Sequence, residues 1–261
     1  MPKGYSLPLS PRGTAGLVEP PPWHYAGDLL AVEFWTDPTE AAATLPPALT
    51  IDPETAGRGL ALFIDWQYAG RHVDQLQPAR SQYREFMVLL DARHGQRAVA
   101  WCPYIYVDND AALARGWIQG FPKKMADVHQ TRVFAAPGPA APRLSPGGRF
   151  AADASVAGHH LARAEVTLRT PVTEPERLLA RPTVNRRYFP QLAAGRHDVP
   201  AVDELVLAVF DDLHLVDAWA GEGQLDFFTV PHEELAALAP VRTGLGLRAS
   251  LSYTVNDLIT L

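Results

Sequence analysis

The chain has 261 residues, 47% of them hydrophobic and 20% charged, and a net charge of −6, an ordinary globular balance with enough length for a large core. The negative charge removes the electrostatic basis for nucleic acid or an anionic membrane as partner. A single cysteine, Cys102, excludes an intrachain disulfide, and no apolar run marks the N-terminus as a signal or anchor, so a cytoplasmic protein is expected.

Residues 1–22 carry prolines and glycines without apolar periodicity and read as an irregular arm. Residues 29–35 form the first strand candidate. Asp37 then caps a short helix through 41–45, which Pro46-Pro47 stops. Residues 59–67 read as a buried strand, and 82–91 with 98–107 as a pair turning at His94-Gly95. Asp108-Asn109-Asp110 caps a helix over 111–116. A half-buried strand is predicted at 125–134, a Pro/Gly/Ala loop at 135–148, and a hairpin of 149–156 with 161–170. Residues 205–228 read as strand broken by a turn at Gly221-Glu222-Gly223; Pro231 opens a short helix, and 245–255 is the closing strand. Without repeats or βαβ alternation, the pattern predicts a mainly β (β-rich α+β) fold. The expected form is an antiparallel β-barrel with a few short helices, one domain over 1–261.

Of 23 basic residues, only Lys3, Lys123 and Lys124 are lysine. Arginine serves as well for surface charge, but its guanidinium stays protonated and cannot condense with a carbonyl. The adjacent pair follows a Gly120-Phe121-Pro122 turn, which singles out Lys123 as a Schiff-base nucleophile. A free lysine has about one amine in 2,500 unprotonated at pH 7, and lowering its pKa by about four units takes roughly 5 kcal/mol. Burial and a neighbouring cation can supply that. Phe121, Pro122, Met125 and Trp117 are the expected walls, and Lys124 the expected second charge. Adjacent strand residues face opposite ways, so desolvation is expected to dominate.

Gly120-Phe121-Pro122-Lys123-Lys124-Met125-Ala126 resembles the active-site peptide of the acetoacetate decarboxylase superfamily, whose own lysine is the standard example of an amine activated in this way. Tyr83-Arg84-Glu85, Arg181-Pro182 and Tyr188-Phe189-Pro190 are similar to further blocks in the same order. So are Val216, Ala218, Trp219 and Gly221, followed by Leu225 and Phe227. The resemblance implies a β-rich cone or barrel, usually in homo-oligomers, with no cofactor or metal. Two positions depart from the decarboxylase: Gly27 stands where it has an arginine, and Ala61, with Asp65 as a shifted substitute, where it has a glutamate. Only Glu85 remains of those partners. The chain therefore resembles branches that use pyruvate in aldol condensation, dehydration or reverse cleavage.

What the resemblance implies is a Schiff-base lyase acting on a 2-oxo acid and an aldehyde. Lys123 is its nucleophile, Glu85 its acid/base and Tyr83, sharing the strand parity of Glu85, its proton donor. Gln119, Lys124 and Tyr253 are candidates for holding substrate. A β-keto acid decarboxylase and a non-catalytic small-molecule-binding barrel are the alternatives. His159-His160 and His232-Glu233 lack metal-ligand spacing, and Cys102, in an apolar strand, reads as packing.

Overall fold

Buried residues alternate with a period of two along 149–156 and 162–168, and run continuously at 59–64 and 99–102, the patterns of strands covered on one face and on both. The computed structural model describes residues 1–71 and 74–261. Its strands are β1 (Trp23–Trp35), β2 (Thr50–Ile51), β3 (Arg58–Ala69), β4 (Gln82–His94), β5 (Arg97–Val107) and β6 (Lys123–Met125). They continue as β7 (Asp127–Gln130), β8 (Arg149–Val156), β9 (His159–Pro171), β10 (Thr183–Phe189), β11 (Val202–Phe227) and β12 (Arg242–Thr260). Three short helices, α1 (Pro38–Ala43), α2 (Pro78–Ser81) and α3 (Asp110–Ile118), sit between them.

The strand order is β10-β5-β4-β3-β1-β12-β11, and β10 pairs again with β11, so the ring closes. From β11 the sheet continues through β9, β8 and β7. Pairing is antiparallel apart from β5 with β6 and β5 with β10, which are parallel. Alternation sorts side chains into two cores. Tyr25, Leu29, Leu62, Trp66, Tyr83 and Leu251 point into the barrel. Their neighbours Leu30, Val32, Phe63 and Phe86 point outward and are covered by Phe150 and Leu161 of the β8–β9 hairpin.

The mainly β barrel expected from sequence is the observed architecture, with four local differences. The turn expected at Gly221-Glu222-Gly223 is absent: β11 is one strand of 26 residues. A Cβ at Gly221 would collide with the Thr167 carbonyl oxygen, so this glycine lets β9 approach closely instead of reversing the chain. Of the stretch 125–134, Met125 ends β6 and Asp127–Gln130 form β7, while 131–134 are not strand. Pro231 leads not into a helix but into a turn, with a 3₁₀ segment following at Leu235–Leu238. Strand β10, not foreseen, seals the ring. Among the described residues no helix is long and apolar enough to cross a membrane.

Candidate active site

The lysine motif is a helix stop followed by a strand start. Asn109 caps α3 by accepting the Ala112 N–H at 2.9 Å. At the other end Gly120 takes φ +80°, its N–H bonding the Trp117 carbonyl at 3.1 Å while the Phe121 N–H bonds the Gly116 carbonyl at 3.0 Å. That is a Schellman stop, which favours glycine because the left-handed conformation strains any Cβ. Pro122 prevents further helix, and Lys123 opens β6, pairing parallel to Ile105. The Trp117 indole N–H donates to the Lys123 carbonyl at 3.0 Å and ties the helix to the new strand.

This places the Lys123 side chain inside the barrel, 7% exposed, with Nζ 2.6 Å from Glu85 Oε2. The Trp66 indole N–H donates to Glu85 Oε1 at 3.0 Å, so the carboxylate is held from two sides. Nζ lies 5.5 Å from the Tyr83 ring centroid and 6.0 Å from that of Phe121. Burial pulls the Lys123 pKa below its ordinary value; Glu85 opposes that shift, and the Arg115 guanidinium adds to it.

The lysine stem lies across Gly116, where an added Cβ would overlap its Cγ, Cδ and Cε atoms. Gly116→Ala should therefore displace the amine while favouring the helix by about 1 kcal/mol. The expected result is unchanged or raised thermal stability with turnover reduced ~100-fold, measured by melting and initial rate on the same preparation.

Arg115 is the site residue that sequence reasoning missed. It is buried, donates from Nε to the Tyr25 hydroxyl at 2.9 Å, and lies 3.7 Å over the Tyr68 ring and 5.6 Å from the centroid of Tyr83. Among the described residues no carboxylate pairs with it. A signal existed: Ala112, Arg115, Gly116 and Gln119 follow helical i, i+3, i+4, i+7 spacing, and all four are buried.

The expected second charge, Lys124, lies elsewhere. Alternation turns it out of the barrel, half-exposed, onto Glu233, which also accepts the Tyr106 hydroxyl at 2.8 Å. It does not face the pocket. Gln119 is buried, but its amide donates to the Arg115 carbonyl at 3.3 Å, so it also satisfies the helix end. Tyr253 stacks on Tyr25 at 5.0 Å and meets Trp66 edge-on at 5.5 Å. Burial pushes the Tyr83 and Tyr253 phenols well above their ordinary pKa, the Glu85 charge adding for both, so at neutral pH both stay protonated. Of the expected walls, Phe121 lines the site, whereas Trp117 and Met125 are largely exposed. Cys102 is buried beside the site with its thiol pKa raised by desolvation, as packing requires. Beyond the ion pair, the barrel holds a cavity of about 90 Å³ whose wall includes Trp66, Met87, Phe121 and Tyr253.

The acetoacetate decarboxylase family model matches residues 6–260. The chain belongs to the acetoacetate decarboxylase family. Among solved structures of the family fold, the enduracididine biosynthesis enzyme MppR, complexed with the condensation product of pyruvate and imidazole 4-carboxaldehyde, is 35% identical with a TM-score of 0.92, covering 100% of this chain and 97% of its own. An acetoacetate decarboxylase-like enzyme from Sphingomonas wittichii RW1 is 26% identical with a TM-score of 0.89, covering 99% and 98%. Acetoacetate decarboxylase from Legionella pneumophila subsp. pneumophila str. Philadelphia 1, at 17% identity, TM-score 0.78 and coverage of 98% and 93%, shares the fold. Comparison with curated protein sequences finds no match.

Within the family frame, the departures have a structural explanation. A Cβ at Gly27 would lie 2.6 Å from the Asp65 carbonyl oxygen and 2.8 Å from the Trp66 ring, so no arginine fits there. The guanidinium beside the lysine comes from α3 instead. Asp65 is no substitute for the missing glutamate, because its side chain faces away from the barrel and pairs with Arg132 at 3.1 Å. Glu85 is then the carboxylate bonded to Lys123. Glu85→Gln removes the charge that raises the lysine pKa, so the pH midpoint of adduct formation should move down. Proton transfer at carbon should slow by about 10²–10⁴. Rapid-mix adduct formation against pH, beside steady-state turnover, separates the two effects.

Proposed function

We propose that Lys123 condenses with the ketone of pyruvate or a closely related 2-oxo acid, and that the enamine so formed adds to an aldehyde with loss of water. The observation that carries this reading is the buried Lys123–Glu85 contact at 2.6 Å beside a guanidinium that, among the described residues, phenols and not carboxylates surround. Charge balance supports it. With a 2-oxo acid bound as an iminium, two positive groups (iminium and Arg115) face two negative ones (Glu85 and the substrate carboxylate). A low-dielectric pocket favours that neutrality. The MppR complexes with pyruvate and with its aldehyde condensation product support the same substrate class.

The neutral Lys123 amine attacks the ketone carbon, and the ketone oxygen leaves as water. The iminium withdraws electrons from the adjacent methyl group, from which Glu85 takes a proton. The resulting enamine carbon bonds to the aldehyde carbon, and Tyr83 or Tyr253 donates a proton to the new alkoxide. Glu85 takes the second proton from the same carbon and the hydroxyl departs as water, which gives the unsaturated iminium; hydrolysis then frees the lysine and the unsaturated 2-oxo acid. Arg115 and Gln119 hold the substrate carboxylate.

Borohydride reduction in the presence of pyruvate, followed by peptide mass analysis, tests the covalent step: a pyruvate-derived increment on Lys123 is expected, and its absence would overturn the reading. Decarboxylation of a β-keto acid uses the same amine. Carbon dioxide release from acetoacetate exceeding formation of a conjugated ultraviolet absorber from pyruvate plus aldehyde would favour that alternative.

A further inference from the structure

The barrel interior changes character at the amine. On β3, Tyr68 lies to one side of Trp66, and Ile64, Leu62 and Leu60 lie to the other. On β4, Tyr83 pairs opposite Trp66, Glu85 opposite Ile64, Met87 opposite Leu62 and Leu89 opposite Leu60. One end therefore holds the phenols and Arg115. The other, from Glu85 to Asp91, is roughly 20 Å of strand with an aliphatic inner wall. Leu178, Leu179 and Leu213 complete that wall.

The charges at the far end are already matched. Asp91 pairs with Arg181 at 3.3 Å and with Arg58 at 2.9 Å, and Arg181 also pairs with Asp52 at 2.7 Å. Neither is a free charge for a polar ligand to meet. The cavity of about 90 Å³ between Trp66 and this network is thus a mainly apolar chamber, and it meets the ion pair through two of its walls, Trp66, which is bonded to Glu85, and Phe121, whose ring lies 6.0 Å from Lys123 Nζ.

We infer that this chamber is the subsite for the second substrate, and that this substrate is an aldehyde with an apolar alkyl side chain. The inference rests on the Schiff-base reading: with the 2-oxo acid carboxylate on the Arg115 side, the enamine carbon faces the aliphatic end. A carbon–carbon bond forms there between the former methyl carbon, which gives up two protons in turn, and the aldehyde carbon. The aldehyde oxygen leaves as water, so no oxidant or reductant is needed. An apolar cavity of about 150 Å³ admits benzene; this smaller chamber suits a side chain of roughly three to four carbons.

The test gives the full chain saturating pyruvate with acetaldehyde, glyceraldehyde or 3-methylbutanal, and follows the conjugated product by ultraviolet absorbance. Each buried methylene is worth about fourfold. The kcat/KM for 3-methylbutanal should therefore exceed that for acetaldehyde by roughly 50-fold, with glyceraldehyde below both. Leu178 sits on the 3₁₀ segment Pro175–Leu179, off the barrel strands. Leu178→Ala should move the optimum toward hexanal, and Leu178→Trp should bring the ratio of 3-methylbutanal to acetaldehyde toward one. Equal rates for all three aldehydes, or preference for glyceraldehyde, would overturn the inference. Borohydride trapping runs in parallel. If pyruvate is trapped on Lys123 but no aldehyde is consumed, the subsite falls while the Schiff base stands. If pyruvate is not trapped, both fall.

Discussion

Lys123→Arg is expected to abolish borohydride trapping by pyruvate and to lower turnover by at least ~10³-fold, because a guanidinium cannot form the iminium. The fold should persist. Arginine keeps a cation beside Glu85, whereas an apolar replacement would leave a buried carboxylate bonded only to Trp66. Lys124→Arg makes the control: its ammonium meets Glu233 outside the barrel, so trapping on Lys123 should survive. Intact-mass analysis after reduction decides both. Trapping by the Lys123 variant, or its loss with Lys124→Arg alone, would contradict the assignment.

Arg115→Met should raise the KM for pyruvate by about 10–150-fold, the loss of a hydrogen-bonded charge worth about 1.5–3 kcal/mol. It should also alter the lysine. In the wild type the guanidinium helps to lower the Lys123 pKa, and adduct formation needs the unprotonated amine. The rate therefore rises with pH through a midpoint below that of a free lysine. Removing Arg115 takes away part of the lowering, so the midpoint moves to higher pH. That is the opposite direction from Glu85→Gln. A merely structural role for Arg115 would change KM without moving the profile, and rapid-mix kinetics from neutral to alkaline pH distinguishes the two.

How much was legible in the sequence follows from what each residue type can be mistaken for. Lys123 stood out because lysine is scarce in this chain and the amine cannot be replaced by arginine. Glu85 and Tyr83 shared a strand parity, and both face the barrel. Arg115 did not stand out: it is one of twenty arginines, and the expected second cation was the adjacent lysine. Strand alternation sends Lys124 outward, and a helical face delivers Arg115 inward, so closeness along the chain was the wrong guide. The glycines of β11 misled for a related reason. Glycine marks a turn in most local patterns, but here it allows two strands to approach where a methyl group would not fit. Strand β10 was hidden because its two-residue parallel contact with β5, Thr183–Val184 against Ala100–Trp101, is non-local.

The length of β11 bears on how the molecule comes apart. Its first half pairs with β10 and its second half with β9, while β12 runs beside both. The barrel around Lys123 and the outer β7–β9 layer are thus built on one continuous backbone, bulged between its halves where Asp212 and Asp217 take positive φ. A buried ion pair and a guanidinium that no carboxylate among the described residues neutralises weaken the barrel locally. That weakness is shared along β11 with the apolar layer outside, where Phe150, Leu161 and Val166 are nearly solvent-free. The interior around Lys123 thereby shares a backbone with a sheet that lies outside the barrel.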